Sequence, residues 1–112
     1  MGVPGLSSSV VCRLLEVDRA LGWPDGRCAE AVGVWRGPRD RGAAVPWGGP
    51  GYDWRNPDDP RAVIEVALRR LSRRARRELW ALVEPADERR RRRWVADPFA
   101  PLELPWWVRT WR

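Results

Sequence analysis

Between Ile64 and Leu82 the side chains sort by angle around a helix. With Ile64 at zero and ~100° per residue, Ile64, Ala67, Leu68, Leu71, Ala75, Leu79 and Leu82 fall within about 60° of zero. Arg69, Arg70, Arg73, Arg74, Arg76 and Arg77 fall between about 120° and 280° on the same wheel. Between Ile64 and Leu82 no arginine breaks the separation. Trp80, at about 160°, shares the cationic arc, whereas Glu78, at about 320°, sits at the edge of the apolar stripe. Such a stripe must be buried against other elements, and the simplest partners are further helices.

Asp58 and Asp59 precede Pro60, an acidic cap followed by proline at the first helical position. The spacing predicts a helix over 60–83, a rod of about 34 Å at ~1.5 Å per residue. Ser72 offers a point at which it would divide in two. Pro85 reads as the opening of a last helix over 85–96. Asp87 and Glu88 lie in its first turn and Arg89 to Arg93 towards its end, as the helix dipole favours. Asp87 with Arg91, and Glu88 with Arg92, are pairs four residues apart in the favourable sense. The five-arginine run sweeps about 400° around a helix, so some of its side chains must lie against the body.

Nearer the start, Ser7 to Ser9 form an N-cap region for a helix over 10–21, which Gly22, Trp23 and Pro24 stop. Cys28 to Trp35 suits either a short helix or a strand. As a strand it would pair with Ala43 to Trp47 in one short β-hairpin, with Pro46 confining that segment to an edge. Residues 37–59 hold five glycines and four prolines and read as a long loop bearing Trp47, Tyr52 and Trp54. These rings either pin the loop to the helices or form a recognition surface. Residues 97–112 form a Pro/Trp tail. The fold expected is therefore mainly α: one small domain over 1–112, with three to four helices around an aromatic-rich core.

Composition decides which chemistry is within reach. The chain has 112 residues, nine tryptophans, no histidine and a net charge of +6, and all 21 basic residues are arginine. Without histidine, Ser–His and Cys–His arrangements are impossible, and without lysine there is neither Schiff-base chemistry nor the phosphate-binding lysine of a P-loop. Gly48-Gly49-Pro50-Gly51 lacks the spacing of that motif as well. Two cysteines without histidine do not make a zinc site. The expectation is a protein with no catalytic residues, no metal and no cofactor. The longest charge-free stretch, Met1 to Cys12, falls short of the ~20 residues a spanning helix needs. No export signal is recognisable, so a cytoplasmic protein with reduced Cys12 and Cys28 is expected.

Charge is distributed unevenly. Residues 1–60 hold seven arginines against eight carboxylates, and residues 61–112 hold fourteen against seven. Concentrated like charge repels itself, and a partner of opposite sign relieves it. Two readings follow. In the first, Arg69, Arg70, Arg73, Arg74, Arg76 and Arg77 contact phosphates of a polyanion, most simply nucleic acid read with little sequence preference, and Trp80 is available to stack. In the second, the basic helix meets an acidic protein surface, with Trp47, Tyr52, Trp54, Trp106, Trp107 and Trp111 as anchors. The competing role for the helix face is simply a solvated surface, and for the tail indoles a lid over the core.

Overall fold

The computed structural model describes residues 2–37, 59–93, 95–96, 98, 102–107 and 109–111. Four helices form a mainly α globule: α1 (Ser8–Ala20), α2 (Arg27–Arg36), α3 (Pro60–Arg70) and α4 (Arg73–Arg93). A two-residue antiparallel pair, β1 (Val95–Ala96) with β2 (Thr110–Trp111), ties the end of the chain to the exit of α4, Val95 facing Trp111 and Ala96 facing Thr110. The core gathers Val10, Leu14 and Val17 of α1, Cys28, Val32 and Trp35 of α2, Ile64, Ala67 and Leu68 of α3, and Leu79 and Val83 of α4. Residues three and four apart lie on one face of a helix, so each contributes a continuous apolar stripe to a common interior.

Most helix starts are held by side chains. The Ser7 hydroxyl accepts from the Val10 N–H at 3.3 Å and donates to Glu78 Oε2 at 3.2 Å, while the Ser7 N–H donates to Glu78 Oε1. Glu78 therefore lies at the stripe's edge, bound to the N-terminus of another helix. Asp18 of α1 is fully buried and caps α2, accepting from the N–H groups of Gly26 at 2.9 Å and Cys28 at 3.0 Å. Gly26 has φ 92°, a left-handed value that glycine adopts without a Cβ clash. Of the two states open to Cys28 to Trp35, the structure has the helix, started by this cap, and the hairpin alternative falls for that segment; its other strand, Ala43 to Trp47, lies outside the described residues. Burial pushes the Cys28 thiol well up, and the Asp18 carboxylate beside it adds to the shift. Cys28 and the exposed Cys12 are both free thiols. Asp59 caps α3 as its sequence position predicts, accepting from the Arg61 N–H at 3.1 Å.

Two expected boundaries are corrected. The rod over 60–83 breaks: Leu71 is extended, with φ −78° and ψ 153°, and Ser72 starts α4 by accepting from the N–H groups of Ala75 and Arg76 through its hydroxyl and carbonyl. The break lets Leu68 and Leu71 on one side, and Ala75 and Leu79 on the other, reach the same core. No new helix opens at Pro85, which lies inside α4, and the helix ends at Arg93 rather than at residue 96. Proline removes one backbone bond in mid-helix at a cost of about 3 kcal/mol. Here Ala81, whose carbonyl loses that bond, and Pro85 are both exposed, so water can serve the carbonyl. On the opposite face Val83, Ala86, Asp87 and Arg90 are buried. Packing on that face outweighs the lost bond and carries the helix through.

Candidate functional site

The buried face of α4 carries charge into the interior. Asp87 accepts from Arg61 Nε at 2.9 Å, from Arg61 Nη2 at 3.0 Å and from Trp35 Nε1 at 2.8 Å. Trp107 covers the Arg61 guanidinium, whose central carbon lies 4.3 Å from the ring centroid. Arg90, 1% exposed, lies over Trp35 at 4.2 Å, and Arg91 lies over Trp106 at 4.4 Å. Trp106 and Trp107 meet edge to face, 6.1 Å between centroids. Carboxylate and indole together replace water around Arg61, and an indole covers Arg90. The expected Asp87–Arg91 pair is therefore corrected: Asp87 points inward to Arg61. The Glu88–Arg92 pair does form, at 3.3 Å. Arg89 donates to the carbonyls of Arg36 at 3.1 Å and Gly37 at 3.0 Å, placing a cation at the C-terminus of α2.

The break at Leu71–Ser72 creates the molecule's cationic cleft. A cavity of about 540 Å³ opens between α3 and α4, lined by Arg61, Glu65, Leu68, Arg69, Arg73, Arg76, Arg77 and Trp80. Arg61 and Leu68 form its floor. Glu65 accepts from Arg61 Nη1 at 3.0 Å and from Arg69 Nε at 3.1 Å, so its charge is held between two guanidinium groups. Arg76 donates to the Leu71 carbonyl at 3.3 Å, bracing the break itself. Trp80 is 38% exposed. Arg73, Arg76, Arg77 and Trp80 occupy successive positions on one face of α4, all turned towards the opening.

Of the seven residues expected to bind a polyanion, Arg69, Arg73, Arg76, Arg77 and Trp80 are brought together here. Arg70 and Arg74 are not. Arg70 lies beside Arg13, Glu16 and Ser72, and Arg74 beside Ser7, Arg13 and Glu78, in two separate depressions. The single cationic face of an unbroken rod is thus corrected to one group in the cleft, with Arg70 and Arg74 apart from it and from each other. Among the described residues no carboxylate pairs with Arg70, Arg73, Arg74 or Arg77.

The tail indoles offered as partner anchors are placed differently. Trp107, 4% exposed, belongs to the core, and Trp106 is half-buried against it, so neither presents an open face. Trp111 is described only through its backbone pairing with Val95. Trp47, Tyr52 and Trp54 lie outside the described residues. Sequence reasoning missed Arg61, Glu65 and Leu68 as cleft residues. The helical wheel carried back three residues puts Arg61 at about 60°, on the apolar arc, and that was the readable sign of a buried charge. The four-residue spacing of Arg61, Glu65 and Arg69 was the sign of their pairing.

Among the described residues no helix is long and apolar enough to cross a membrane, and no three metal-binding side chains gather. No protein-family model matches the chain, and no curated protein or solved structure matches it either.

Proposed function

We propose that this chain is a small non-catalytic binding module that holds a phosphate-bearing polyanion, nucleic acid with little sequence preference, in the α3–α4 cleft. One observation carries the reading. Arg69, Arg73, Arg76 and Arg77 surround an opening whose single carboxylate, Glu65, is already held by Arg61 and Arg69. Arg73 and Arg77 are left with positive charge that no described carboxylate offsets. Guanidinium groups match phosphate oxygens in geometry and stay charged at any ordinary pH. The lining offers one carboxylate and no nucleophile, which supports binding rather than turnover. Docking on an acidic protein surface is the competing reading, and it loses support from the internal use of Trp106 and Trp107.

The test is the salt dependence of binding to a labelled oligonucleotide. Four phosphate contacts give a log–log slope of roughly −2.8 to −3.6, at about 0.7 to 0.9 per contact. A flat affinity between low and moderate salt overturns the proposal. Binding only to an acidic protein, with no oligonucleotide complex, transfers the cleft to the competing reading.

A further inference from the structure

The mouth of the cleft joins two kinds of surface that phosphate contact alone does not require. Among the described residues, Trp80 and Leu102 are the exposed large apolar side chains, and Trp80 stands inside the cationic cleft. An indole left open to water beside guanidinium groups is a stacking platform, since every nucleobase has a ring face of matching size. In a duplex those faces are covered by neighbouring bases. In a single strand they are free. The cavity of about 540 Å³ is of the size that takes one small-molecule ligand, such as a single nucleotide unit.

The charges also give the site two sides. Arg73, Arg76 and Arg77 line the α4 bank beside Trp80, while on the α3 bank Arg61 and Arg69 are engaged with Glu65. The α4 guanidinium groups meet no described carboxylate, so a phosphate is drawn to that bank. The amino-terminal end of that helix, at Arg73, adds its dipole to the attraction. We infer that the cleft takes an unpaired nucleotide of a longer strand, with its base on the Trp80 indole and the phosphates that flank it on Arg73, Arg76 and Arg77, so that the preferred ligand is a single strand. This rests on the polyanion reading and deepens it.

The experiment compares three labelled 12-residue probes by fluorescence anisotropy at low salt: a single-stranded pyrimidine homopolymer, its duplex, and an abasic strand of equal charge. Each is run in deoxyribose and ribose form, and the tighter single-strand complex names the sugar. The single strand binds most tightly. Trp80→Ala weakens it by roughly 5- to 150-fold, the range that loss of one base–aromatic stack produces, and Trp80→Phe restores most of the affinity. Because Trp80 is exposed, circular dichroism should show both variants folded. If Trp80→Ala leaves affinity unchanged, and abasic and duplex probes bind as well as the single strand, the stacking inference falls while the polyanion reading stands. If no probe binds even at low salt, both fall.

Discussion

Two groups of arginines, identical in charge, meet opposite fates in this molecule. In the run 89–93, Arg89 caps α2, Arg90 lies buried on Trp35, Arg91 lies over Trp106 and Arg92 pairs with Glu88. Around the break between α3 and α4, Arg73 and Arg77 face a cleft with no described carboxylate to match them. The denser run, which sweeps about 400° around a helix, could not present one face and had to lie partly against the body. What separates the groups is the surroundings: the first lies against a helix end, two indoles and a carboxylate, and the second lies against an opening. Local charge density therefore says little about which cations are available, because each guanidinium can be satisfied by a different kind of neighbour.

The comparison can be broken first at its internal pole. Asp87→Ala leaves the Arg61 guanidinium buried without its bidentate partner, and removing one member of a buried pair costs about 3–5 kcal/mol. Urea unfolding should show the unfolding free energy falling by that amount, or no folded state at all. A loss below about 1 kcal/mol, the value of an exposed pair, would show that Arg61 reaches water and that the two poles do not differ. Next comes the joint. Ser72→Ala removes the hydroxyl that starts α4 and should cost about 1 kcal/mol in the same measurement. Its oligonucleotide affinity should fall as well, because the two banks of the cleft lose their fixed angle. The smallest effect on stability belongs to the cleft itself. Arg73→Ala and Arg77→Ala should each change stability by less than about 0.5 kcal/mol. Each should also flatten the salt slope of binding by about 0.7 to 0.9. A large loss of stability from either variant would place that guanidinium with the internal group.

Much of this fold is legible from local rules. The serine start of α1, the Asp59–Pro60 start of α3 and the apolar stripe from Ile64 to Leu82 follow from capping and periodicity, which act over a few residues. What local rules could not reach depends on distant partners. The helical state of Cys28 to Trp35 is fixed by Asp18, a residue on another helix. The passage of α4 through Pro85 depends on what Val83, Ala86 and Asp87 bury on the far side. The five cationic and aromatic members of the cleft were legible as a set because they share a helical arc. Their division from Arg70 and Arg74 was not, since it follows from one extended residue, Leu71. The inward turn of Trp107 depends equally on a distant residue, Arg61, which gives it a cation to cover.

Arg61 belongs to both poles. Its guanidinium is fastened to Asp87 and roofed by Trp107, yet the same side chain forms part of the cleft floor. Whatever settles in the opening rests on a beam of the building rather than on its cladding. Occupancy should then register throughout the molecule as resistance to heat, increasing with ligand concentration as mass action requires.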